Sequence, residues 1–240
     1  MIRIGMLTPS SNTVLEPICS AMLAKVEDVS THFSRFRVVE IGLGERALGQ
    51  FESEPMLEAA ELLADARVDV ICWNGTSSGW LGFERDAELC AAIEDRTGVR
   101  ARTAVLTLND LLRRDRCRRI ALLTPYTDDV QAQIVANYQA EGFEVVAERH
   151  AGMSENFAFA AVSAGQLRQM AGELASAEPD AIIPFCTNLA AAPLAATLEN
   201  ELGIRLYDTV ATAMLGALEG AGVDPARVAG WGRMVAGAPV

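Results

Sequence analysis

The stretch Asp180-Ala181-Ile182-Ile183-Pro184-Phe185-Cys186-Thr187-Asn188 places a thiol where a short apolar run gives way to small polar residues. The run is too short for a helix and reads as a buried parallel strand. In open α/β sheets ligands bind beyond the carboxyl ends of strands, and Cys186 stands at such an end. A thiol there serves as a nucleophile or as a proton donor. The plain alternative is a buried cysteine that only packs. A second stretch, Val68 to Ser77, matches the first at one constant spacing: Asp69 with Asp180, Ile71 with Ile182, Thr76 with Thr187, and Gly75 with Cys186. It leads into Asn74-Gly75-Thr76-Ser77-Ser78-Gly79, whose glycines and hydroxyls suit an anion nest of backbone amides. No Gly-Lys-Ser/Thr follows, so the loop is not a nucleotide phosphate cradle.

Two further pairs of segments repeat in the same order. Arg3-Ile4-Gly5-Met6-Leu7-Thr8-Pro9 resembles Arg119-Ile120-Ala121-Leu122-Leu123-Thr124-Pro125, and Gly98-Val99-Arg100 resembles Gly203-Ile204-Arg205. The chain is therefore expected to be α/β, with two pseudo-symmetric lobes, residues 1–113 and 114–240. Each is a mostly parallel sheet flanked by helices, with room for a helix crossing back from the C-terminal end. Two such lobes form a cleft, with positions 75 and 186 on its opposite walls.

The elements that position these residues follow from periodicity and punctuation. Strands are expected at Arg3–Thr8, Phe36–Ile41, Val68–Trp73, Ile120–Thr124 and Phe143–Arg149. Helices are expected from near Val14, at 55–66, 87–96 with Gly98 as its C-cap, 103–112, 165–177, 190–202 and 211–221. Asn12 or Thr13 caps the first helix, whose amides also make a carboxylate site. Gly42 to Gly49 is not a dinucleotide fingerprint, because its third glycine is misplaced. Tyr126 occupies the turn equivalent to Ser10, where its hydroxyl reaches the cleft or its ring covers the loop. The Gly/Ala/Pro tail after Asp224 is expected to be weakly ordered.

Composition excludes several classes. The net charge of −12 argues against nucleic acid and anionic membrane surfaces as partners. Lys25 is the only lysine and lies far from any expected strand end, which disfavours Schiff-base chemistry. Five irregularly spaced cysteines read as free thiols, and His32 and His150 alone give a zinc site little to draw on. The N-terminus lacks signal-peptide architecture and no apolar run is long enough to span a bilayer, so a cytoplasmic location is expected. A homo-oligomer is compatible with the sequence.

Pro9-Ser10-Ser11-Asn12, Gly75-Thr76-Ser77, Pro125-Tyr126-Thr127-Asp128-Asp129 and Phe185-Cys186-Thr187-Asn188 together resemble the aspartate/glutamate racemase superfamily. Within it they look closest to the maleate cis-trans isomerase and arylmalonate decarboxylase branch. The similarity runs from Arg3 to about Gly222. It implies two α/β lobes with the site between them. Racemases and maleate isomerases of this kind carry a cysteine on each wall. The decarboxylases keep only the second and have glycine on the first, as Gly75 and Cys186 do here. Asn12 and Asn156 instead look like the carboxylate-holding asparagines of maleate isomerases. Thr187-Asn188 is polar where the decarboxylases have glycines.

The resemblance and the residues together imply a cofactor-independent decarboxylase of arylmalonate type, with no metal. Loss of CO₂ from one carboxylate leaves an enediolate on the other. Thr76, Ser77, Tyr126 and amides near Thr187 would stabilise that charge, and Cys186 would protonate the carbon. Gly75, Asn12, Asn156, Thr187 and Asn188 would line or hold the substrate, a small carboxylic or dicarboxylic acid. The alternatives are a maleate isomerase or related dicarboxylate isomerase or racemase working through Cys186 alone, and a non-catalytic carboxylate-binding protein.

Overall fold

The computed structural model describes residues 1–234. Its first half runs β1 (Ile2–Pro9), α1 (Leu15–Met22), β2 (Val29–Phe36), α2 (Glu45–Leu48), α3 (Ser53–Asp65), β3 (Val70–Trp73), α4 (Ser78–Leu81), α5 (Glu84–Thr97), β4 (Ala101–Thr103) and α6 (Ala104–Arg114). The second half runs β5 (Arg119–Thr124), α7 (Asp128–Ala140), β6 (Glu144–His150), α8 (Ala164–Ala175), β7 (Ala181–Pro184), α9 (Ala195–Leu202), β8 (Arg205–Leu206) and α10 (Thr209–Gly220). The strands form two four-stranded parallel sheets, ordered β2-β1-β3-β4 and β6-β5-β7-β8. The two orders are the same permutation, so the repeat seen in the sequence is a repeat of topology.

The repeated residues have repeated work. Asp69 accepts from the backbone N–H of Arg3 at 2.7 Å, and Asp180 accepts from those of Arg118 and Arg119, each at 2.8 Å. Each aspartate thus fixes the start of a central strand against its neighbour. Gly98 and Gly203 end α5 and α9 with φ of +69°, the left-handed C-cap that glycine adopts without a Cβ penalty. The central strands β3 and β7 are buried at every residue, as strands covered on both faces must be. The C-terminal helix α10 packs on α6, β3 and β4 of the first sheet. There the Thr212 hydroxyl donates to the Ala104 carbonyl at 2.9 Å.

Several local expectations are corrected. The strand expected at Phe36–Ile41 lies earlier, at Val29–Phe36. This segment is the edge of its sheet, and Ser30-Thr31-His32 and Ser34-Arg35 leave only Val29, Phe33 and Phe36 apolar, which masks its period. Past Phe36 the chain leaves the sheet, and Val38 and Ile41 turn towards the cleft. The expected helix at 190–202 begins only at Ala195, after a 3₁₀ turn at Ala192–Leu194 that contains Pro193. In the tail, Asp224 caps the 3₁₀ turn Pro225–Arg227, Arg227 pairs with Asp28, and Val228 and Met234 are buried. Residues 235–240 lie outside the described residues.

Candidate active site

Strands β3 and β7 end at Trp73 and Pro184, and two residues beyond each end stand Gly75 and Cys186. Both line one small cavity between the lobes, of about 20 Å³. That is room for roughly one water molecule. Thr76, Ser77, Tyr126, Asn156 and Thr187 line it as well. The sequence therefore brought the two strand ends to the same place. A larger open groove of about 710 Å³ lies near α5 and α6, remote from these strand ends.

Cys186 is buried, and its sulfur accepts from the backbone N–H of Asn188 at 3.4 Å. Burial pushes its thiol up to about 12, and the nearby Asp208 carboxylate adds to the rise. The Tyr126 hydroxyl and the N–H groups of Asn188 and Leu189 offset only part of it. The thiol is therefore neutral at ordinary pH, which suits an acid better than a nucleophile. Tyr126 and Thr76 share a hydrogen bond of 2.7 Å between their hydroxyls, across the two lobes. Burial pushes the Tyr126 phenol well up, so it too stays protonated. Its ring is held edge-on between Trp80 and Phe159, at centroid distances of 5.3 and 5.5 Å.

The asparagines have a different placement. The N-cap of α1 is Val14 and not Asn12 or Thr13, but the Asn12 side-chain oxygen accepts from the N–H groups of Val14 at 3.0 Å and Leu15 at 2.9 Å. The Asn12 amide donates to the Thr187 carbonyl at 3.0 Å. Asn188 accepts from the N–H of Thr13 at 3.0 Å and donates to the Asn156 carbonyl at 2.6 Å. Neither Asn12 nor Asn188 lines the cavity; they tie the lobes together behind it. Asn156 does line it, but its amide already donates to Ser11 at 2.7 Å. The Thr187 hydroxyl donates to the Asn74 carbonyl at 3.0 Å.

Sequence reasoning missed the apolar half of the site. Trp73, Trp80, Phe51, Val38 and Ile41 line the cavity. A signal was present, because two of the chain's three tryptophans flank the Gly75 loop. Gly75 itself does not have positive φ. A Cβ built on it would fall 2.0 Å from Trp73 Cζ2, so the indole lies where a side chain at 75 would stand. Among the described residues no cluster of three or more His, Cys, Asp or Glu could hold a metal ion. Nor is any described helix long and apolar enough to cross a membrane.

Comparison with known proteins places this geometry in context. The family model described as arylmalonate decarboxylase matches residues 28–235. The maleate isomerase of Nocardia farcinica is 28% identical, over 97% of this chain and 95% of that protein. The arylmalonate decarboxylase of Bordetella bronchiseptica is 27% identical, over 75% of this chain and 77% of that protein. Among solved structures, a cysteine-to-serine mutant of the Nocardia farcinica maleate cis-trans isomerase, with a covalently bound succinylcysteine intermediate, superposes with a TM-score of 0.88. That match is 24% identical and covers 98% of both chains.

Proposed function

This chain belongs to the arylmalonate decarboxylase family, and from that premise we propose that it is a cofactor-independent enzyme acting on a small dicarboxylic acid, with Cys186 as the acid that protonates the carbon beside a carboxylate. The observation that carries this reading is a single neutral thiol facing a wall where Gly75 and the Trp73 indole leave no place for a second. Such a site supports decarboxylation of a malonate. The bond from the central carbon to one carboxylate breaks, CO₂ leaves, and the electron pair stays on the carbon as an enediolate. Tyr126, Thr76 and Ser77 surround the developing oxyanion, and donors fixed in advance are usually the largest catalytic term. The S–H of Cys186 then transfers its proton to the carbon, and the thiolate regains one from water.

A second reading, isomerisation of maleate, is favoured by the relatives that are maleate isomerases. Sulfur would add to one alkene carbon, and the electron pair would move to the far carboxylate. The former double bond would rotate, and expulsion of sulfur would leave fumarate. That sequence needs a thiolate, which burial of Cys186 opposes. Incubating the purified protein with malonate, methylmalonate, phenylmalonate and maleate separates the readings. CO₂ release from one of the malonates is the expected result. Fumarate from maleate, with no CO₂ from any malonate, would replace decarboxylation by isomerisation. Binding without turnover would leave a carboxylate-binding protein.

A further inference from the structure

Two tryptophans line the cavity, Trp73 at 1% and Trp80 at 5% exposure. An indole N–H can only donate. Neither Trp73 Nε1 nor Trp80 Nε1 has a hydrogen-bond partner among the described residues. A buried donor left unmade costs folding free energy, and a native chain retains one where something else completes it. Other buried groups without partners, such as Tyr138 and Asn109, do not line this cavity.

The position of Trp73 narrows the role. Its Cε2, the atom bonded to Nε1, lies 2.5 Å from where a Cβ on Gly75 would be. The Trp73 indole therefore stands at the first wall, in the place a side chain at 75 would take. Trp80 approaches from the side of Tyr126, against which its ring packs edge-on. Several other polar groups of the lining are already engaged: Tyr126 with Thr76, the Asn156 amide with Ser11, and the Thr187 hydroxyl with Asn74. Two indole N–H groups of residues that line the cavity thus lack an acceptor, and no arginine or lysine lines it. A ligand that satisfies it must bring acceptors.

We propose that the indole N–H groups of Trp73 and Trp80 form a carboxylate subsite, holding one carboxylate of a small dicarboxylic acid at the Gly75 wall. The inference rests on the reading of the substrate as a dicarboxylate. Neutral donors in an apolar pocket fix the carboxylate's position by hydrogen bonds alone, without an ion pair. The indole takes the place of a first-wall side chain, which ties the glycine at 75 to the tryptophan at 73.

The chain has three tryptophans, hence three indole N–H resonances in a ¹H–¹⁵N spectrum. Cys186→Ala protein is titrated with malonate and, separately, with maleate. The Trp73 and Trp80 resonances, assigned with the Trp73→Phe and Trp80→Phe variants, move downfield; that of Trp231, outside the cavity, stays. Each Trp→Phe variant binds malonate at least about tenfold more weakly by calorimetry, as loss of a donor to a charged group predicts. If Trp73→Phe does not fold, the titration of the Cys186→Ala chain decides alone. Binding seen by calorimetry with both indole resonances unmoved overturns the subsite and leaves the dicarboxylate reading standing. Indole shifts with no turnover of any dicarboxylate by the unsubstituted protein overturn the reaction and leave the subsite standing. No binding of either acid overturns both.

Discussion

The indole of Trp73 fills the space that any side chain at Gly75 would need, with Cζ2 2.0 Å from the position of a Cβ. Glycine is required there by its neighbour and not by backbone torsion, because Gly75 lies outside the positive-φ region. The two residues form one unit on the first wall of the cleft.

Gly75→Cys is therefore expected to overpack the wall and destabilise the protein by about 1–3 kcal/mol. Trp73→Val should open a void at the same spot. Combined, the two changes should cost less than the sum of the single costs, with a coupling of about 1 kcal/mol or more. Urea unfolding of the four proteins measures this; additive costs would sink the pairing. In the combined variant the thiols at 75 and 186 face each other. Exchange of the α-proton of a carboxylic acid with deuterated solvent should then appear where Gly75→Cys alone shows little.

Cys186→Ala should abolish turnover with little change in melting temperature. If the thiol acts as an acid, turnover should not fall through the usual thiol range near about 8.5, because burial holds this thiol up to about 12. The pH profile of kcat checks this. A rise in rate through pH 8–9 instead would mark a thiolate nucleophile and favour isomerisation.

Thr76→Ala and Tyr126→Phe should each lower kcat by roughly tenfold to a thousandfold if their hydroxyls face the developing charge. The two share a 2.7 Å hydrogen bond, so the double variant should lose little more than the worse single one. Full multiplication of the two losses would show that they act separately. Circular dichroism must stay unchanged for either outcome to count.

Stability should fall as pH rises from about 4 to about 7. Burial pushes Asp86 up to about 7, despite the nearby hydroxyls of Thr103 and Ser78, and pushes Asp208 up to about 7 as well. Both are raised above the ordinary carboxylate value. Between that value and 7 the unfolded chain loses protons that the folded one keeps, which favours unfolding. Asp86→Asn should remove part of this slope. Melting curves of parent and variant at pH 5 and pH 7.5 test it; equal slopes would show that Asp86 titrates normally.

The sequence by itself determined the paired architecture and the two strand ends. Asp69 and Asp180 recur because each must hold the N–H groups at the start of a central strand, and Gly98 and Gly203 recur because each must adopt positive φ. Those are local requirements, and local requirements leave their mark at fixed spacing. The same spacing carried Gly75 and Cys186 to one cavity. Only the tertiary structure decided what surrounds them. Whether Asn12 offers its amide to a ligand or to Thr187 depends on a residue 175 positions away. Whether Trp73 packs outward or across Gly75 depends on Phe36, 5.1 Å away between ring centroids and distant in sequence, since an indole points wherever long-range packing leaves room. The edge strand β2 was hidden for a related reason: a strand paired on one side only can carry polar residues, and its pairing with β1, not its hydrophobicity, defines it.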